Sequence, residues 1–425
     1  MERCAPAPMK LTPLPPAFLS FRRYFDANLI KDYILYFQNP RLKLVSEYLK
    51  EDKIGQGTFG EVFRARCVQT HKRVAIKRFV PALESAEGMY QNNGFRITEL
   101  REIILLRRMN FCPYVTELIE VVRKRDEKAR NACFYMVMPF YAADLCGLLN
   151  GPYLLNGNEK KTIFYQILLG LQDLHRKQII HRDLKTANIM ISRQGIIKIG
   201  DFGLCRAYNM YHTRFTPTVV TLWYRCPEIL LGSRDYHTEI DMWAAGCVLG
   251  ELHARKPILQ GDSETQLIKL ITNLCGTINE ESLPGLSKLQ FASKIELPTG
   301  QNRIKSQFGV GGKAFVSLLE GLLAMDPKKR STAEQALEHE YFKQKPDMLP
   351  DVRDAVEGTP EHQRFEFNFR QSQMMAQQRQ SKPSEDRSSR NHHHERYYHE
   401  RSHHDRRHRD SRPPQHKRRH NGHFA

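Results

Sequence analysis

Four side chains in one short stretch, Asp183, Lys185, Asn188 and Asp201, have the types and spacing to move a phosphoryl group. They stand in IHRDLKTANIMISRQGIIKIGDFG, residues Ile180 to Gly203. Phosphoryl transfer leaves a protein little covalent work: it must align a hydroxyl with the γ-phosphate of a nucleotide and neutralise charge on the phosphate oxygens. Asp183 can accept the hydroxyl proton, and Lys185 can place a positive charge near the γ-phosphate. Asp201 and the amide oxygen of Asn188 are hard donors suited to Mg2+ held between phosphates. The competing reading is two surface acids in an ordinary loop.

These groups need elements that position them. Ile189, Met190 and Ile191, then Ile196, Ile197 and Ile199, flank Gln194-Gly195 and read as a β-hairpin that fixes both acids on one scaffold. Lys161 to His175 shows apolar residues at helical spacing, a buried helix beneath the loop. Upstream, Ile54-Gly55-Gln56-Gly57-Thr58-Phe59-Gly60-Glu61-Val62 carries a glycine spacing that alone is weak evidence of a nucleotide site. A dinucleotide site would open a helix at the last glycine, whereas here a strand continues through Val62 and Phe63. A hairpin of this kind lets backbone amides approach phosphates closely.

Val74-Ala75-Ile76-Lys77 is a strand ending in a lysine suited to the α- and β-phosphates, and the helix Ile97 to Met109 offers Glu102 as its partner. A Lys77–Glu102 ion pair is the expected marker of an active state. The apolar strand Phe134 to Val137 leads into Met138-Pro139-Phe140-Tyr141, read as a hinge with Met138 at the back of an adenine pocket. Glu228 is expected to pair with Arg330 in a buried, structural ion pair.

The chain has 425 residues, of which 40% are hydrophobic, enough for a sizeable core over most of its length. Its formal charge of +18 implies acidic partners, whether nucleic acid, phosphoprotein or a membrane surface. No apolar run approaches a membrane span, and the N-terminus lacks a signal core, so an intracellular protein is expected. Nine scattered cysteines without a C-x-x-C pair read as thiols rather than as a disulfide frame or zinc site. Met1 to Pro16 reads as an extended leader. Phe18 to Phe37 suits a helix with an apolar face, packed on the neighbouring lobe or docked on a partner.

With these residues in place, the chain resembles a eukaryotic Ser/Thr protein kinase over roughly Tyr48 to Phe342, and within that class the cyclin-dependent kinases. RITELRE, Arg96 to Glu102, is similar to the cyclin-binding helix spelled P-I-T-A-L-R-E in the transcription-elongation branch. IGQGTFGEVFRAR from Ile54, LLGSRDY from Leu230 and LCGTI from Leu274 add to the resemblance. Arg96 and Glu99 depart from the helix pattern, implying a more charged cyclin surface.

The resemblance implies an α+β, bilobal protein-kinase fold: an N-terminal extension (1–47), a small β-rich N-lobe with one key helix (48–138), a hinge (139–144), a larger helical C-lobe (145–342) and a disordered basic tail (343–425). It also implies ATP and Mg2+, a cyclin of the T type, and Ser-Pro or Thr-Pro substrates. The C-terminal domain of RNA polymerase II is the leading substrate, in transcription elongation in the nucleus. Thr221 is implied to join the catalytic group. Thr216 is implied to be a phosphorylation switch, its phosphate bound by Arg101, Arg182 and Arg206. Val219 is implied to be strained, with Arg225 holding the Val220 carbonyl, which favours proline after the target residue.

From Glu361 the composition turns to Arg, His, Ser, Gln and Asp, and this tail is expected to be disordered. It could be a solvated tail, an RNA or phosphoprotein contact with nuclear-import content at His416 to His420, or a histidine metal site without fixed supporting partners. Other readings of the whole chain are another cyclin-dependent kinase of the transcriptional or cell-cycle branch, or a kinase-fold scaffold whose tail binds RNA.

Overall fold

The computed structural model describes residues 42–57, 60–79, 97–124, 133–208, 215, 221–343, 352–368 and 370. The helix read over Phe18 to Phe37 and the roles given to Thr58, Phe59, Thr216, Val219 and Val220 lie outside them.

The N-lobe is an antiparallel sheet of β1 (Tyr48–Gly57), β2 (Gly60–Cys67), β3 (Arg73–Arg78), β4 (Glu120–Arg123) and β5 (Phe134–Pro139), in the order β1-β2-β3-β5-β4. The helix α1 (Ile97–Met109) crosses between β3 and β4 in the chain. Strand alternation explains why the sheet is buried on both sides. On β4 and β5, Val121, Phe134 and Met136 join α1 residues Leu100, Ile103 and Met109 in the main core, while Val122, Tyr135 and Val137 join Tyr48, Ala65, Val74 and Ile76 on the opposite face. At the β1–β2 turn Gly57 pairs with Gly60, whose φ is +140°. A Cβ on Gly60 would lie 2.1 Å from the Arg78 carbonyl oxygen, so only glycine lets β2 start there.

Past the hinge come β6 (Ala143–Asp144), α2 (Leu145–Asn150), α3 (Gly157–Arg176), β7 (Ile179–Ile180), β8 (Ile189–Ile191), β9 (Ile197–Ile199) and β10 (Arg206–Ala207). The expected hairpin is β8–β9, joined to β6, with Gly195 in the left-handed region at its turn. Asn156 and Glu159 close a capping box that starts α3. The C-lobe continues through α4 (Pro227–Leu230), α5 (Glu239–Ala254) and α6 (Glu264–Cys275), then α7 (Ile304–Phe308), α8 (Lys313–Leu322) and α9 (Ala333–Leu337). Every residue of α5 from Ile240 to Leu252 is buried, which makes it the axis of the lobe. Glu228 and Arg330 form the expected pair, with contacts of 2.7 and 3.1 Å.

Ordered packing extends past residues 48–342 on both sides. Before Tyr48, Leu42 is buried, Leu44 bridges to Arg123 and Lys43 pairs with Glu120, so the end of the N-terminal extension, residues 42–47, packs on β4. The larger correction concerns the tail read as disordered from 343. The segment 352–368 includes α10 (Arg353–Glu357) and buries Val352, Ala355, Val356 and Thr359. Its composition could not build a core alone, but a few apolar side chains suffice when they add to one that already exists.

Glu99 also differs from expectation: it is buried rather than displayed on a charged surface. Among the described residues no helix is long and apolar enough to cross a membrane, and the described cysteines are free thiols.

Candidate active site

Three of the sequence-expected residues, Lys185 and Asn188 from the loop between β7 and β8 and Thr221 from beyond it, surround the carboxylate of Asp183. Asp183 accepts hydrogen bonds at Oδ1 from the Thr221 hydroxyl (2.9 Å) and amide (3.1 Å). At Oδ2 it accepts from Lys185 Nζ (2.8 Å) and Asn188 Nδ2 (3.0 Å). Lys185 also reaches the Thr221 hydroxyl at 2.9 Å. Asp183 is thus a fixed acceptor beside a cation held by two hydrogen bonds, an arrangement able to receive a proton and to neutralise a transferring phosphate.

Asp201 sits across the cleft in the left-handed region, φ 55°, at the turn Phe202–Leu204. Lys77 on β3 lies 2.6 Å from Glu102 and 3.3 Å from Asp201. Burial works against the Lys77 ammonium, but the charges of Glu102 and Asp201 outweigh it and hold its pKa above the ordinary value. For Asp201 burial raises the pKa, yet Lys77, Lys185 and His181 overcome it and leave the carboxyl below its usual value. Asp201 is therefore kept anionic, and Asn188 commits its amide nitrogen to Asp183, leaving its oxygen as the donor to offer. Among the described residues no cluster of three or more His, Cys, Asp or Glu could hold a metal ion. One carboxylate and one amide oxygen, completed by phosphates and water, nevertheless fit Mg2+.

The cleft between the lobes has a volume of about 330 Å³. Ile54, Gly55, Gln56, Gly60 and Val62 roof it, Ala75 and Met138 stand behind, Met190 lies opposite, and Lys77, Asp201 and Asn188 close its deep end. Glu61, read from the sequence with the nucleotide-holding residues, turns its side chain instead to Lys53 (2.7 Å) and Arg78 (3.3 Å). Its neighbours Gly60 and Val62 face inward, so strand alternation turns Glu61 out.

Arg101, Arg182 and Arg206 converge. Arg206 is pushed down to about 9, first by burial and then by the positive charges of Arg101 and Arg182. Arg182 is 2% exposed with a left-handed backbone, φ 70°, and its guanidinium stands 5.7 Å from the Phe215 ring. An anion here would relieve the mutual repulsion, and Phe215 immediately precedes Thr216 in the chain. Arg225 pairs with Glu264 at 2.6 Å, and the contact expected of it with Val220 lies outside the described residues.

Two acids were missed. Asp241, near the start of α5, accepts the amides of His181 (2.8 Å) and Arg182 (2.9 Å) and contacts His175 Nε2 at 3.0 Å. In sequence it looks like any acid favouring a helix N-terminus. Asp144 caps α2 by accepting from the Gly147 amide (2.7 Å) and also accepts the Glu366 amide (2.8 Å). Burial pushes its carboxyl up to about 8 against those two bonds. Spacing gives no signal for a contact between residues so far apart in the chain.

The protein kinase domain family matches residues 48–342. Cyclin-dependent kinase 9-B of Xenopus laevis is 39% identical over 346 residues, spanning 77% of this chain and 88% of that protein. Cyclin-dependent kinase 10 of Rattus norvegicus is 43% identical over 328 residues, with spans of 77% and 88%. Among solved structures, the crystal structure of the yeast RNA Pol II CTD kinase CTDK-1 complex matches with a TM-score of 0.64 at 35% identity, over 72% of this chain and 95% of that one.

Proposed function

The chain belongs to the protein kinase family and to its cyclin-dependent branch, and on that premise we propose that it phosphorylates the C-terminal domain of RNA polymerase II in complex with a T-type cyclin. The enzyme is a Ser/Thr protein kinase, with ATP as the phosphoryl donor. The observation that carries the reading is the Asp183 cluster facing an intact Lys77–Glu102 pair. Asp183 takes the proton of the substrate hydroxyl, Lys185 neutralises the γ-phosphate, and Thr221 holds Asp183 in line. Lys77 binds the α- and β-phosphates, while Asp201 and Asn188 would hold Mg2+, whose charge neutralises the phosphate oxygens.

The polymerase substrate is supported by the likeness to the yeast Pol II CTD kinase and to cyclin-dependent kinase 9. Thr216, once phosphorylated, draws Arg101, Arg182 and Arg206 into one anion site and so activates the enzyme. Ser-Pro and Thr-Pro sites, a nuclear location and promotion of elongation complete the reading. The Arg- and His-rich sequence beyond residue 370 supplies cationic charge for an RNA contact.

The test is phosphate transfer to a Ser-Pro heptad-repeat peptide by the purified chain, with and without a co-expressed T-type cyclin. Transfer that depends on the cyclin and falls at least about tenfold in kcat/KM when proline becomes alanine, near 1.4 kcal/mol, is the expected result. Transfer indifferent to both changes would remove the polymerase assignment while leaving the kinase.

A further inference from the structure

Phe215 stands immediately before Thr216 in the chain, is 9% exposed and is anchored from two sides. Its amide donates to the Arg234 carbonyl (2.7 Å), and its ring lies 5.2 Å from that of Tyr236, which is fully buried. The two rings meet one cation. The Arg182 guanidinium stands 5.7 Å from the centre of the Phe215 ring and 5.9 Å from that of Tyr236. Within about 6 Å a ring face attracts a cation, and more strongly when water is excluded.

What the rings hold matters because of where Arg182 stands. It directly precedes Asp183, and its amide is fixed on Asp241 at 2.9 Å. Its left-handed backbone is one that an arginine adopts only where its surroundings impose it. Burial works against the charge of Arg182, and Arg101 and Arg182 both press on Arg206 as like charges. A buried guanidinium crowded in this way keeps its place only where its neighbours attract it. Phe215 and Tyr236 supply part of that attraction without a carboxylate.

We infer that Phe215 is a positioning residue: before Thr216 is phosphorylated, its ring, backed by Tyr236, holds the Arg182 guanidinium and through it the catalytic loop, and a phosphate on Thr216 makes the ring dispensable. The inference rests on the reading of Thr216 as the activating site. A phosphate binds a guanidinium by charge-assisted hydrogen bonds, stronger than the pull of a ring face, so it takes over the same cation once it is present. Ring and phosphate are alternative holders of one group, and their effects on turnover are therefore not additive.

The test compares the full chain with its cyclin in two forms: the Thr216→Ala protein, which cannot carry the phosphate, and the Thr216-phosphorylated protein, its occupancy read by mass spectrometry. Turnover is measured on peptide transfer and, independently of the peptide, on ATP hydrolysis. Phe215→Leu keeps an apolar side chain against Tyr236 and removes the ring face. In the Thr216→Ala protein it should lower kcat at least about tenfold with the KM for ATP within about twofold, while Phe215→Tyr should keep kcat within about threefold. In the phosphorylated protein Phe215→Leu should cost less than about threefold. An equal loss in both forms would reduce Phe215 to packing and overturn the inference. No loss in the Thr216→Ala form, or a loss that Phe215→Tyr shares, would overturn it as well. The ratio of phosphorylated to Thr216→Ala activity with Phe215 in place tests the Thr216 reading by itself.

Discussion

Asp241 lines no part of the nucleotide cleft, yet it fixes where the catalytic loop lies by accepting the amides of His181 and Arg182. Asp241→Asn turns one acceptor into a donor that faces a backbone N–H. The expected cost is about 1–3 kcal/mol of stability. As a positioning residue it should also lower kcat at least about tenfold while the KM for ATP stays within about twofold. Thermal unfolding and kinetics on the same preparation check this; a lower Tm with unchanged kcat would reduce Asp241 to a structural role. The residues proposed to touch the reacting groups were legible because chemistry fixes their types: Asp183, Lys185 and Asn188 lie in one hydrogen-bonded cluster, with Asp201 across the cleft. The Glu61 side chain points away from the cleft because a strand shows only alternate side chains to one face, which leaves the backbone of the glycine hairpin as that position's route to a phosphate.

At the scale of elements, the β8–β9 hairpin, α1 and the helix beneath the loop follow from periodicity, because each buries its own apolar face. The segment 352–368 was illegible because it adds only a few apolar side chains, such as Val352 and Val356, to a core the rest of the chain builds, and is held also by backbone bonds between Asp144 and residues 364 and 366. That docking should depend on pH. Burial raises the Asp144 carboxyl to about 8, above its ordinary value, so the docked state binds a proton that the released state gives up. Its contribution is complete below the released-state value near 4 and is lost as pH rises toward about 8. Hydrogen-exchange protection of residues 364–367, corrected for intrinsic rates, should fall between pH 6 and about 8.5 in wild type and stay flat in Asp144→Asn. Protection that rises with pH would contradict this coupling.

Across the whole molecule, the two lobes and their order were readable from the run of strands followed by helices, but the ends of the fold were not. Both ends are decided by what the rest of the chain leaves uncovered, which composition does not report: Leu42 packs on the N-lobe and Val352 on the C-lobe. The C-lobe is tied by Arg330, buried against Glu228 and also donating to the carbonyls of Ala324 and Glu239. Glu228→Ala would leave that guanidinium buried without its carboxylate, at an expected cost of about 3–5 kcal/mol in denaturant unfolding. A change below about 1 kcal/mol would mean the pair does not hold the lobe together.

The central claim, that Asp183 is the proton acceptor of a phosphoryl transfer, is tested most directly by Asp183→Asn in the cyclin-bound enzyme, measuring single-turnover phosphate transfer and ATP affinity together. Transfer should fall by about 10²–10⁴-fold while the Kd for ATP stays within about twofold, because the side chain acts on the hydroxyl and not on the nucleotide. Transfer within about threefold of wild type would contradict the account.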